Sequence, residues 1–345
     1  MKFAIKDIVR KNISSLEPYS SARDEFQGKA DIFLDANENP FDSAYNRYPD
    51  PLQKNLRDRI AALKKIDPNQ IAIGNGSDEL IDLLFRIFCS PGVDNVVIPQ
   101  PTYGMYKVSA RINDIEVREP LLSDEFDIDE NRIQQSIDQK TKIIFLCSPN
   151  NPTGNLLSTK KITKLLLNFN GIIVVDEAYI DFADSESQLS LLSKHTNLVV
   201  LQTLSKAWGL AGLRIGIALA SEEIVTLINK VKPPYNVNSA SAQLALNSLQ
   251  NAEQKNEIVR KLVDERMRME SALKAFSFVQ KVFPSEANFL LVQMKNAREC
   301  YAYLLNHGIV VRDRSNVVRC ENCLRMTIGT PDQNNKLLEA LKRFN

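Results

Sequence analysis

Short apolar runs at 95–98, 142–147, 171–175, 198–202 and 214–220 recur between stretches of helical spacing. They are rich in Val, Ile and Leu and lack the apolar/polar alternation of a half-wet strand, so each reads as a strand buried on both faces. Such strands alternating with helices specify an α/β fold with a mostly parallel, doubly wound sheet. With 345 residues, 44% of them hydrophobic, the chain can fill that core and a second, smaller one. The pattern breaks at Lys232-Pro233-Pro234-Tyr235. After Asn238 the sequence predicts a long helical region to about Phe276, with Leu244, Leu246, Leu249, Ile258, Leu262, Met269 and Leu273 on its apolar faces. Strands near 288–293, 309–312 and 324–328 and a final helix from Pro331 complete a smaller α+β unit. The expected organisation is an N-terminal arm over 1–30, a large domain over 31–235 and a small domain over 236–345.

A net charge of +1 leaves no basic footprint for nucleic acid or an acidic membrane. No stretch approaches the roughly 20 apolar residues of a membrane span, and the charged start lacks the apolar core of a signal peptide. Five cysteines, an odd number, read as reduced thiols, so the expected location is the cytoplasm. Cys320-Glu-Asn-Cys323 has no second pair to complete a zinc site, and His195 and His307 lack ligand spacing, so no metal is expected.

Between Thr203 and Gly216 lies Thr-Leu-Ser-Lys-Ala-Trp-Gly-Leu-Ala-Gly-Leu-Arg-Ile-Gly. Lys206 stands among small and apolar residues, where lost hydration and a nearby cation lower an amine's pKa towards the nucleophilic neutral form. Ser205 and Arg214 are residue types that hold a phosphate. An amine beside a phosphate clamp points to pyridoxal phosphate, although a lysine in such a setting is more often a snorkelling side chain.

Three further segments bear on that choice. The run from Gly171 ends in Asp176, which serves equally as an anion for a pyridinium nitrogen or as a cap for the next helix; Tyr179 follows three residues on. The run from Ile143 enters Asn151-Pro152-Thr153-Gly154, a turn whose amide can donate to a phenolate oxygen. Gly74-Asn75-Gly76-Ser77-Asp78 reads as a turn between a strand and a helix, where free amides favour an anion. It lacks the third glycine of a dinucleotide fingerprint.

In this order and spacing the four segments resemble the fold-type-I pyridoxal-phosphate enzymes, the aspartate-aminotransferase superfamily, along nearly the whole chain. The resemblance implies that Lys206 bonds the cofactor's aldehyde carbon, that Asp176 pairs the ring nitrogen, and that Asn151 and Tyr179 hold the phenolic oxygen. It places the phosphate on the amides of Ser77 and Asp78, on Ser205 and on Arg214, with Tyr103 stacked on the ring. Glu17-Pro18-Tyr19-Ser20-Ser21-Ala22-Arg23, Asn37-Glu38-Asn39-Pro40, Arg47-Tyr48-Pro49 and Pro101-Thr-Tyr-Gly-Met-Tyr106 are similar to the histidinol-phosphate aminotransferase family. That likeness implies a homodimer in which Tyr48 crosses to the neighbour's cofactor phosphate. It also implies substrate contacts from Tyr19, Asn37, Arg325 and Arg312 and amino exchange between histidinol phosphate and 2-oxoglutarate, and it leaves Arg314 unassigned. Threonine-phosphate decarboxylases and broad-range aromatic aminotransferases share most of these motifs. A regulator carrying an added DNA-binding module is not expected, because the fold begins within the first few dozen residues.

Overall fold

The computed structural model describes residues 4–19 and 31–344. Seven strands form the larger sheet: β1 (Ile71–Asn75), β2 (Asn95–Val97), β3 (Glu116–Arg118), β4 (Thr141–Cys147), β5 (Ile172–Asp176), β6 (Leu198–Thr203) and β7 (Ile215–Ala220), in the order β1-β7-β6-β5-β4-β2-β3. All pairings are parallel except those of β7, which is antiparallel to β1 and β6. The apolar runs explain the layering. In β5, Ile172 and Val174 enter one core while Ile173 and Val175 enter the other, so both faces need hydrophobic side chains. The first of these cores is closed by α3 (Ser77–Phe88), α4 (Met105–Ile112) and α7 (Glu222–Val231), and the second by α2 (Lys54–Lys64), α6 (Thr159–Asn168) and α8 (Ser239–Ser248). The remaining short helices of this part are α1 (Lys11–Ser14) and α5 (Glu130–Ser136).

A second sheet is wholly antiparallel, in the order β10-β11-β9-β8, from β8 (Val279–Val282), β9 (Phe289–Met294), β10 (Arg312–Asp313) and β11 (Cys323–Thr327). Leu290, Val292, Leu324 and Met326 pack on α9 (Ala252–Lys274), α10 (Ala297–Asn306) and α11 (Pro331–Phe344). A small cluster of Tyr179, Phe182, Ala207, Val259, Ala287 and Phe289 joins the two sheets. Glu286 N donates to Gly154 O at 2.7 Å in the same junction. Gly154 has φ +85° and any Cβ there would collide with Ser285, so glycine is required at this contact.

The α/β class and the mostly parallel doubly wound sheet agree with the sequence. Several details differ. The long helical region after Asn238 is two helices, broken at Leu249–Asn251, and Leu244 (52% exposed) and Ile258 (46%) face outward in the single chain, whereas Leu249, Met269 and Leu273 are buried. The expected strand at 309–312 shrinks to two residues, and β3 and β8 were not foreseen. Arg214 is not in a strand: it sits in the left-handed region, φ 57°, just before β7. Of the expected arm, residues 4–19 contain a 3-10 turn and α1, anchored by buried Ile5 and Ile13. Ser20 to Arg23 of the arm motif lie outside the described residues.

Candidate active site

The carboxyl ends of β1, β4, β5 and β6 meet at one edge of the sheet, and because β7 runs the other way its first residue lies there too. Ligand sites of open α/β sheets form at this edge. One hollow here is lined by Ser77, Asp78, Tyr103, Cys147, Asn151, Asp176, Ala178, Tyr179, Thr203, Ser205, Lys206 and Arg214. Nine residues singled out from the sequence are thus brought together from segments up to 137 positions apart (77 to 214).

The anion end of the hollow is built from glycines. Gly76, φ +81°, stands at the N-cap of α3 and supplies no capping side chain, so the first amides of the helix are left for another partner. A Cβ on Gly76 would collide with the Arg214 guanidinium, and one on Gly216 would collide with Ser77 N. Backbone and arginine therefore form a close cradle that a larger residue would fill. Thr203 Oγ1 lies 3.0 Å from Ser205 Oγ and accepts Ser205 N–H at 3.1 Å, which orients the serine into the cradle. Beneath it, Glu79 Oε2 accepts from Asn75 N (2.5 Å) and Asn236 Nδ2 (2.7 Å).

At the opposite end Asp176 is 3% exposed. Tyr106 OH donates to its Oδ2 at 2.7 Å and Ala178 N to its Oδ1 at 3.0 Å. Burial holds the carboxyl pKa above its ordinary range, and the two hydrogen bonds only partly oppose that shift. A carboxylate in this setting is matched to a cation facing it from the hollow. Tyr106 itself stacks on Phe145 and meets Tyr103 edge-on. It was not singled out from the sequence. The available signal was its place one helical turn after Tyr103, on the buried face, where a tyrosine hydroxyl needs a partner.

Tyr103 OH donates to Asp78 Oδ1 at 3.1 Å, and Tyr179 packs edge-on to Phe289. Asn151 Oδ1 accepts from Arg325 Nη1 at 2.5 Å, which leaves its NH2 as the end available to another acceptor. The preceding Asn150 holds the turn through Pro101 O (2.9 Å) and Thr153 Oγ1 (2.7 Å). Lys206 Nζ lies 5.6 Å from the Tyr179 ring centroid. Partial burial lowers its pKa most, Arg325 and Arg214 add to the effect, and Asp176 opposes it.

Arg325 reaches this hollow from β11. Its neighbours Leu324 and Met326 enter the small core, so alternation turns Arg325 the other way. Arg312 is its cross-strand partner on β10 and is exposed. Arg314, left unassigned from the sequence, continues the same face: its N donates to Cys323 O at 2.9 Å.

Three expected site residues are elsewhere. Tyr48, 51% exposed, stacks on Tyr235 at 4.6 Å in a separate hollow with Tyr45 and Arg47. Asn37 is exposed and tied to the same segment, since Glu38 pairs with Arg47 at 2.7 Å and accepts Tyr48 N–H at 2.6 Å. Tyr19 is 71% exposed beside Lys54, Lys230 and Lys232. In the single chain neither Tyr19 nor Asn37 lines the hollow around Lys206. Upstream of Tyr19, Arg10 bonds Arg86 O and Ile87 O at the end of α3 away from the cradle.

The sequence also hid Lys232. Its ammonium is buried, donates to Gln53 Oε1 at 3.0 Å and lies 3.5 Å from Ile73 O, and burial pulls its pKa down to about 8. Together with Asn236 and Glu79 it braces the strand that ends in the glycine cradle. Cys320 and Cys323 are buried thiols within the core between the sheets, pushed up to about 12 by burial.

A profile of the family described as aminotransferase class I and II matches residues 31–341. The chain belongs to that family. It is 54% identical to the histidinol-phosphate aminotransferase of Parabacteroides distasonis over 340 residues, 99% of each chain. Among solved structures, the histidinol-phosphate aminotransferase of Clostridium acetobutylicum superposes with TM-score 0.79 at 27% identity, covering 86% of this chain and 90% of that one. The L-threonine-O-3-phosphate decarboxylase of Porphyromonas gingivalis gives 0.73 at 28% identity, with the same coverage. This aminotransferase thus has the fold-type-I architecture and depends on pyridoxal phosphate. The glycine cradle, the buried Asp176 and the low-pKa amine fit that cofactor's phosphate, ring nitrogen and aldehyde in turn. No helix among the described residues is long and apolar enough to cross a membrane.

Proposed function

We propose that this aminotransferase moves the amino group between L-histidinol phosphate and 2-oxoglutarate, as a cytoplasmic homodimer. The observation that carries the reading is the arginine face opposite Lys206. Arg325, Arg312 and Arg314 share one side of the small sheet, and Arg314 and Arg325 keep buried Nε atoms with no hydrogen-bond partner among the described residues. Guanidinium groups left in that state suit an anionic substrate tail: a phosphate on one substrate and a carboxylate on the other.

Pyridoxal phosphate, when bound, supplies an electron sink for breaking the substrate's Cα–H bond. The chain's residues do the rest. The amides of Ser77 and Asp78, Ser205 and Arg214 would hold the phosphate. Asp176 would pair the ring nitrogen, Asn151 and Tyr179 would donate to the phenolic oxygen, and Tyr103 would cover the ring. Lys206 Nζ would take the substrate's Cα proton and return a proton one carbon away. Arg325, assisted by Arg312, anchors the substrate's anion. Residues 31–235 form the cofactor-holding domain and 236–345 the domain that carries the arginines, behind the arm 1–30. Tyr48, with Asn37 tied beside it, completes the phosphate site of a second copy, in keeping with its exposure here.

The test is an amino-donor screen with 2-oxoglutarate, read as glutamate released. Histidinol phosphate is expected to be the best donor. A stronger response to phenylalanine, or carbon dioxide released from threonine phosphate, overturns the reading.

A further inference from the structure

Arg314 is given no separate role in the reaction outlined above, yet it belongs to the arginine face that Arg325 presents to the hollow. Strand register places it beside Arg312 and Arg325: Arg312 pairs with Arg325, Asp313 with Leu324, and Arg314 N bonds Cys323 O. Residues 312 and 314 therefore share the face that looks at the hollow. Its Nε is buried with no hydrogen-bond partner among the described residues, and the same holds for Arg325 Nε. Asp313, the adjacent carboxylate, is turned away and accepts from Ser315 N. Burial and the charges of Arg325 and Arg312 pull the Arg314 pKa down to about 10. A guanidinium kept among like charges, with a buried donor unmet, is balanced only when an anion arrives.

The two anions expected here differ in what they can satisfy. A carboxylate has one charge and two oxygens, which a single planar fork fills. A phosphate monoester has three terminal oxygens and a charge of about −1.5 to −2 at neutral pH. Arg325, already fixed by Asn151, presents one fork, and a second donor group is needed for the third oxygen and the extra charge. We propose that Arg314 is a specificity-determining residue that engages a dianionic phosphate tail and contributes little to binding of a carboxylate. The substrate named rests on the function proposed above; the preference for a dianion does not.

The experiment uses Arg314→Gln as holoenzyme, with apparent dissociation constants taken from single half-reactions for histidinol phosphate and for glutamate separately. The expected result is a weakening of about tenfold or more for histidinol phosphate, the scale of a lost charge-assisted hydrogen bond, and less than about threefold for glutamate. Equal weakening of both, or no change in either, overturns the proposal. A second arm uses inorganic phosphate as inhibitor of the glutamate half-reaction, and the inhibition constant is expected to rise about tenfold in the variant. Phosphate inhibition unchanged by the substitution refutes the role of Arg314 even where histidinol phosphate is the true donor. Wild-type indifference to histidinol phosphate, with phosphate inhibition lost in the variant, refutes the substrate and leaves the dianion preference standing. Should Arg314→Gln fail to retain cofactor absorbance, Arg314→Lys decides, because a compact ammonium must still weaken histidinol phosphate more than glutamate.

Discussion

The hollow has two walls of opposite character. On the seven-stranded side several functional groups are already held: Asp176 by Tyr106 and Ala178, Ser205 by Thr203, the turn of Asn151 by Asn150 and Thr153. On the four-stranded side Arg314 and Arg325 keep buried nitrogens without partners. Groups fixed by the protein suit a cofactor that stays, whereas unmet donors suit a substrate that must come and go. An unsatisfied buried donor costs about 1–3 kcal/mol, and an arriving anion recovers that free energy as binding.

The largest break of this contrast is Lys206→Ala. It removes the one amine at the junction of the two walls, and turnover is expected to fall at least about 10⁴-fold, the upper end for a positioned proton carrier. Single-turnover mixing with the preferred donor measures it, and a rate within tenfold of wild type would exclude Lys206 as the proton carrier. Tyr106→Phe loosens only the finished wall. The hydrogen bond it deletes lowers the Asp176 pKa, so its loss raises that pKa further. The expected outcome is about a tenfold fall in kcat, with the acid limb of the pH profile moved to higher pH. A change in KM alone would contradict the assignment of Asp176 to the ring nitrogen.

The smallest effect concerns Lys232, under the cradle. Its pKa is about 8 in the folded chain against 10.5 ordinarily, so between these values the unfolded chain holds more protons. Stability must then rise with pH across that window, by at most about 1.4 kcal/mol per unit. Denaturant midpoints of wild type and Lys232→Met between pH 7.5 and 10 are expected to diverge in favour of wild type as pH rises. A constant difference would show that the amine is not desolvated.

What could be read from the sequence follows the same division. Parallel strands buried on both faces announce themselves as apolar runs, and whatever ends such a run stands at the ligand edge, which exposed Asp176, Asn151 and the Ser205–Arg214 loop. Residues whose role depends on a distant partner were invisible. Tyr106 reads as core until Asp176, 70 positions on, meets its hydroxyl. Lys232 reads as a break before two prolines until Gln53, 179 positions away, closes over it. Arg314 and Arg312 cannot be ranked without the register of β10 on β11.

The contact of Gly154 with Ser285 and Glu286 has a mechanical consequence. The turn that carries Asn151 is clasped to the loop between β8 and β9 of the small sheet at a point where not even a methyl group fits. The loop between β10 and β11 is tied down as well, by Arg319 Nη1 donating to Leu122 O and Ser123 O at 2.8 and 2.7 Å, so the arginine-bearing sheet is riveted to the large domain at two places.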